Sequence, residues 1–424
     1  MSFQTKLTLV CFAAGMSMTH STFAEMVQLE HSTDITLSSL TQTVYERHPA
    51  LHNELAQQQQ INANTDLANA TFADVKSISV SHYNDVIGSD NGSQEWEGSV
   101  DMPLWLPGQK QQQSVLSDKL SAELPAYKQQ IKLDASAKVR ELIWNVVLAD
   151  NVTTQAHQVW QTSKELEKDV AARVNAGELA STEQLLANTN ALEMHSQYLL
   201  AAAELEHALN SYQHLTGERS LPQVYEESLP VAYNNNQHHS LAVIDQKHPY
   251  LMLLEQQINT LRTQQDLAQF DGAVNPSLSV GVRSERGERG ENFNNSFGVG
   301  VSFALDNDVY RRPAIANAAK ELADAEITRQ ALERELNITL FSQLHDLDTK
   351  QQQLVLVNEQ NEATQKYYSL QQRAFELGEI DLVNLLRSQS LANETQNRKQ
   401  ALEIDIKHMI AMTNQALGLV LWVN

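Results

Sequence analysis

Three short landmarks occur twice in the 424-residue chain at almost one spacing. Glu46-Arg47-His48-Pro49 is matched by Gln246-Lys247-His248-Pro249, 200 residues on. Gly177-Glu178-Leu179 is matched by Gly378-Glu379-Ile380, and Leu215-Thr216-Gly217 by Ala416-Leu417-Gly418, both 201 residues on. Recurrence at a fixed period marks a chain built from copies of one unit. Any fold must therefore accommodate two units of about 200 residues in the same internal order. The divisions expected are 25–217 for the first, 218–240 for a linker and 241–424 for the second.

Within each unit a helix is expected after His-Pro, from Ala50 to Phe72 and from Tyr250 to Phe270. Two strands follow, about 76–83 and 95–104 in the first unit and 277–283 and 296–305 in the second. The clearest is SFGVGVSFAL (296–305), in which Phe297, Val299, Val301, Phe303 and Leu305 alternate with small residues. Side chains on a strand alternate between faces, so one face is apolar and the other nearly bare. Ten tilted residues of this kind match the lipid-facing strand of an outer-membrane barrel. The intervening NDVIGSDNGSQ and SERGERGENFNN are turn-rich and polar.

Beyond the strands each unit carries more than 100 residues of helical pattern. Leu332, Leu336, Leu340, Leu344 and Leu347 step by three or four among Gln, Asn, Glu and Lys, a narrow stripe suited to another helix. In the first unit the pattern runs from about Gln109 to Arg173, a rod of roughly 100 Å at ~1.5 Å per residue, with Pro125 expected to kink or divide it. Each rod turns at a tip, 175–182 and 376–383, where glycine suits the left-handed residue that ends a helix. Ser181 or Thr182, and Asp381, are the candidate caps of the returning helices.

The remaining composition excludes several functions. Cys11 is the only cysteine and lies in the first 24 residues, which read as a secretory signal: Lys6, an apolar core, then Thr22-Phe23-Ala24. Val10 before Cys11 is not the small residue of a lipid-attachment signal. Beyond residue 24, disulfides, thiolate catalysis and Cys-based zinc sites are excluded. The formal charge is −22, or −23 without the single charge of Lys6, which argues against nucleic acid as a partner. No phosphate loop, nucleophile elbow or zinc-protease motif is present, so no enzyme, cofactor or resident metal is expected. His238-His239 has no second ligand pair nearby and reads as a solvated linker. The acidic balance is compatible with a cation-admitting lumen.

Signal, two strands, long helical hairpin, linker and the same again: this arrangement resembles the TolC-like outer-membrane efflux channel family. The residues that carry the resemblance are the two His-Pro helix starts, the strand exit MPLWLPGQ (102–109) and the two tips, with Arg173 before the first and Phe375 and Leu385-Leu386 around the second. The resemblance implies a mainly helical fold with a transmembrane β-barrel, formed by a homotrimer that closes twelve strands on a periplasmic helical tunnel. It implies an outer-membrane location, and partners in a periplasmic adaptor and an inner-membrane pump. The adaptor would dock at the tips: Arg173, Gly177, Glu178, Leu179, Phe375, Gly378, Glu379 and Ile380. Relatives close the tunnel with acidic residues six and nine positions after the second tip glycine; here those positions hold Asn384 and Arg387. A gate is still expected near Glu183, Asp381, Asn384 and Arg387, with Arg387 and Glu183 able to pair across neighbouring helices. The function implied is a passive exit duct of a tripartite pump for drugs or metal cations. A type I polypeptide-secretion channel and a coiled-coil adaptor are the alternatives.

Overall fold

The computed structural model describes residues 29–233, 243–305 and 308–422. The expected signal segment with Cys11, and His238-His239, lie outside these residues. The chain begins with a short strand β1 (His31–Ser32), then helices α1 (Leu37–Glu46) and α2 (Leu51–Asn69). Strands β2 (Ser77–Asn84) and β3 (Gln94–Pro103) lead into the 67-residue helix α3 (Gln109–Asn175), which returns as α4 (Ser181–Thr216). After β4 (Leu221–Pro222) come α5 (Pro249–Leu267), β5 (Ser277–Arg286), β6 (Asn294–Ser302), the 69-residue α6 (Asp308–Glu376) and α7 (Leu382–Ala416). The strands sit where alternation places them, within three residues at each end, because a period of two is unambiguous over eight or more residues.

The four long helices lie side by side in the order α4, α3, α7, α6. α2 braces α3, and α5 bridges α3 and α6. Pro125 does not divide the rod; α3 runs through it. The missing amide is compensated by bracing beside it, where Tyr127 donates to the Ala50 carbonyl (3.1 Å) and Lys128 pairs with Glu54 (2.5 Å). No helix among the described residues is long and apolar enough to cross a membrane.

The largest core lies midway along α3, where Val139, Ile143, Trp144 and Val146 meet Leu40 and Val44 of α1, Leu205, Leu209 and Tyr212 of α4, and Ala411 of α7. Arg140 is buried in its midst at 2 % exposure. It forms two hydrogen bonds to Glu227 (2.7 and 2.8 Å), and Asn414 of α7 also donates to Glu227 (3.0 Å). The linker is therefore less irregular than its composition suggests: Glu227 is bound there, and β4 pairs in parallel with β1.

The His-Pro landmarks acquire a physical reason. His48 Nδ1 accepts from the Ala50 amide (3.2 Å) and His248 Nδ1 from the Tyr250 amide (3.3 Å), so each histidine satisfies a donor at a helix start. The glycines of the third landmark lie against the same turns. Gly217 closes α4 at φ +84° beside Arg47, and a Cβ on Gly418 would stand 2.7 Å from the His248 ring.

Candidate functional site

One sheet holds the four long strands in the order β2-β3-β5-β6, every pair antiparallel. Its register segregates chemistry by face. Val100 pairs with Ile78 and Val280, Met102 with Leu278, and Val299 with Val280, giving one apolar face that includes Val80, Trp96, Phe297 and Val301. Among the described residues nothing covers this face: Ile78 is 78 % exposed and Phe297 70 %. Phe303 and Leu305, expected on the same strand, lie beyond its end at Ser302, where ladder pairing stops. They remain exposed and apolar but are not held in the sheet.

The opposite face is polar, and sequence reading missed its connections. Asp101 accepts hydrogen bonds from Ser79 (3.0 Å), from Ser99 (3.4 Å) and from Ser279, across three strands. Toward the other end, Arg283 pairs with Glu95 (2.7 Å) and Glu285 (2.8 Å). The individual serines were visible as alternation, but the cross-strand partners needed the register. Among the described residues β2 and β6 are edge strands, each with one row of backbone groups outside the ladder.

At the far end of the rods the two tips are built alike. α3 closes with Glu178 N donating to Arg173 O (2.9 Å) and Gly177 N to Val174 O (3.0 Å), Gly177 being left-handed at φ +80°. α6 closes with Glu379 N to Ala374 O (2.9 Å) and Gly378 N to Phe375 O (3.0 Å), Gly378 at φ +76°. Both are the paired 6→1 and 5→2 closures that satisfy terminal carbonyls. The tips also pack on each other. Val170 and Ala187 of the first hairpin share a cluster with Phe375, Leu382 and Leu385 of the second, flanked by Leu179 and Ile380. Arg173 donates to the Phe375 carbonyl (3.2 Å) and to Glu178 (3.3 Å).

Of the four expected gate residues, Asp381 and Asn384 are joined by a hydrogen bond. Asp381 caps α7, its Oδ1 accepting from the Asn384 amide at 2.9 Å. Ser181 and Thr182 do not cap α4: the cap position is Ala180 and makes no side-chain bond, the hydroxyls falling one and two residues inside the helix. Glu183 and Arg387 form no ion pair with each other among the described residues. Arg387 is exposed, whereas Glu183 Oε2 is shielded from solvent with no hydrogen-bond partner among the described residues. No cluster of three or more His, Cys, Asp or Glu that could hold a metal occurs among those residues.

No protein-family model matches the sequence, and no curated protein matches it by sequence. Solved structures do match in fold. The outer-membrane channel OprN superposes with a TM-score of 0.70 at 18 % identity, over 92 % of this chain and 93 % of that one. The outer-membrane protein VceC from Vibrio cholerae gives 0.69 at 12 % identity, over 90 % and 96 %. The Campylobacter jejuni CmeC outer-membrane channel gives 0.66 at 12 %, over 98 % and 94 %. The chain has the fold of the TolC-like outer-membrane channels, a mainly helical architecture carrying a small sheet.

Proposed function

We propose that this chain is one subunit of an outer-membrane exit channel. It would serve a tripartite export machine as a passive duct for small molecules or metal cations. The observation that carries this is the two-faced, four-stranded sheet with open edges, mounted on rods of ~100 Å. A sheet exposing valine, phenylalanine and tryptophan on one face is unstable in water but suited to lipid. Lipid in turn forbids open edges, because unpaired backbone groups have no water to bond to. Three copies give twelve strands, and the alternation of direction from β2 to β6 lets β6 of one copy meet β2 of the next in antiparallel sense. Val299, Val301 and Phe297 then face lipid, and the Asp101 and Arg283 groups line an aqueous lumen. The rods form a periplasmic tunnel composed of two tandem units per chain. The tips, from Arg173 to Leu179 and from Phe375 to Ile380, present the docking surface for an adaptor bound to an inner-membrane pump. Glu183, Asp381, Asn384 and Arg387 surround the constriction.

The test is membrane fractionation followed by unheated gel electrophoresis of the detergent-extracted protein. A heat-labile trimer in the outer-membrane fraction is the result expected. A water-soluble monomer overturns the channel reading.

A further inference from the structure

The four-stranded sheet sorts its charges by face. Every carboxylate of its strands, Glu95, Glu97, Asp101 and Glu285, has polar-face parity. Arg286 is the one formally charged strand residue with the parity of Leu278, Val280 and Val282. Its row, Asn84, Gln94 and Arg286, ends the apolar face at the turn side. Lys76, one residue before β2, continues the parity of Ile78 and Val80 at the other border and lies over the Phe72 ring at 5.3 Å. From Lys76 to the Arg286 row is ~27 Å along a strand, or ~21 Å across a membrane at a tilt of ~40°. That approaches the ~25 Å apolar band of an outer-membrane barrel. A chain with a formal charge of −22 thus offers lipid a cation at each border of this face.

Arg286 is held in place but not paired. Its guanidinium stacks over Phe293, 5.1 Å from the ring centroid. The neighbouring arginines are paired, Arg283 with Glu95 and Glu285, and Arg289 with Asp90. Arg286 has no ion pair or side-chain hydrogen bond among the described residues, and its Nε lacks a partner. Stacking fixes the guanidinium plane and leaves its edge, which grips phosphate in a bidentate manner, without a protein acceptor.

Two rows below, ~13 Å along β5, the apolar surface has a gap. The register aligns Val80, Gly98, Val282 and Phe297 in one row, and Gly98 alone has no side chain. The result is a depression of about 560 Å³ walled by Val80, Trp96, Val282 and Phe297. A Cβ on Gly98 would meet nothing within 4 Å, so the depression is open. Trp96, between this gap and the Arg286 row, stacks on His82 at 4.1 Å, the kind of amphipathic ring that sits at a membrane border.

We propose that these features bind one phosphate-bearing lipid, its phosphate on Arg286 and an acyl chain across Gly98. Charge and shape select this occupant: an anionic head beside an unpaired cation, joined to a flexible apolar tail that fills a gap on the same face. All the residues belong to one chain, so each subunit carries a whole site. The inference rests on the outer-membrane reading and adds a specific lipid contact to it.

The test is native mass spectrometry of the full chain, purified as its trimer in an uncharged detergent and titrated with phosphatidylglycerol. Diacylglycerol of the same chains lacks the phosphate, and inorganic phosphate lacks the chains. One phosphatidylglycerol per subunit, held about tenfold or more tightly than diacylglycerol, is the result expected. Arg286→Gln should erase that preference and Arg286→Lys restore part of it. Gly98→Leu, which fills the gap from outside, should weaken the binding of both lipids while the trimer persists. A preference unchanged in Arg286→Gln overturns the site and leaves the channel reading standing. Displacement of the lipid by inorganic phosphate does the same, since Arg286 would then be a plain anion site. A co-purifying protein released by Arg286→Gln or Gly98→Leu also overturns it. Failure to recover any trimer from the outer-membrane fraction removes the channel reading itself.

Discussion

The Arg173 guanidinium lies over the Phe375 ring, 4.8 Å from its centroid, and donates to the Phe375 carbonyl at 3.2 Å. These residues are 202 positions apart, one at the end of each long helix. The contact ties the first hairpin to the second at their tips. A partly desolvated cation over an aromatic face contributes ~1–2 kcal/mol, and a charged hydrogen bond a similar amount. Arg173→Ala should leave the mid-rod core intact while loosening the tips. Hydrogen exchange of amides around 174–180 and 375–382 should accelerate about tenfold or more, with little change elsewhere. Uniform exchange across the tips in wild type and variant would show that the contact holds nothing.

Arg140 holds a different junction, where α3, the linker and α7 meet. Removing one partner of a buried pair leaves the other charge unpaired, at a cost of about 3–5 kcal/mol. Arg140→Ala should therefore destabilise the protein far more than removal of an exposed pair such as Arg219 with Glu206. An Arg140→Met/Glu227→Gln double variant should recover much of the loss, since neither charge then remains. Denaturant titration of the purified protein in detergent provides the comparison. A double variant as unstable as Arg140→Ala would exclude an unpaired charge as the cause.

Much of this architecture was legible in the chain, and the exceptions have a common physical origin. The strands and rods declared themselves through periodicity, which is local. Asp381 was readable as a cap because a carboxylate three residues before Asn384 can reach its amide. Ser181 and Thr182 were equally plausible by residue type, but the turn after Gly177 places Ala180 at the cap, a matter of one residue of backbone path. Arg173 with Phe375, Arg140 with Glu227 and Asp101 with Ser279 join residues 87 to 202 positions apart, and no local pattern encodes their partners. For the gate, a pairing of Glu183 with Arg387 across neighbouring helices was the expectation, and no ion pair between the two occurs among the described residues.

Two glycines of the sheet should respond oppositely to substitution. A Cβ on Gly281 would stand 2.8 Å from the Gly98 carbonyl oxygen and 3.0 Å from Ser99 Cβ, on the polar face between paired central strands. Backbone cannot retreat there without breaking the β3–β5 ladder. A Cβ on Gly98 meets nothing within 4 Å. The proposed heat-labile trimer should be lost in Gly281→Val and kept in Gly98→Ala. Equal behaviour of the two variants in unheated gel electrophoresis would contradict the register described.

Acid should weaken the fold through His248. The residue is 2 % exposed, and burial holds its pKa below the usual 6.5, opposed by the Ala416 backbone carbonyl, which favours the protonated ring. His408, stacked 5.7 Å from Trp144, is shifted down for the same first reason, with Asp405 opposing and Lys350 reinforcing. A histidine with a depressed folded pKa binds its proton more readily when unfolded. Its contribution is thus complete above about pH 6.5 and declines as the pH falls from there toward the lower folded value, by up to ~1.4 kcal/mol per pH unit per group. Protonation also costs His248 its Nδ1 acceptor, the group that receives the Tyr250 amide. The melting temperature in detergent should therefore be flat from pH 8 to about 6.5 and fall between 6.5 and 5. His248→Asn keeps a capping oxygen without the titration, and its profile should be flatter over the same range. A wild-type melting temperature constant from pH 8 to 5 would mean that neither histidine is neutralised by the fold.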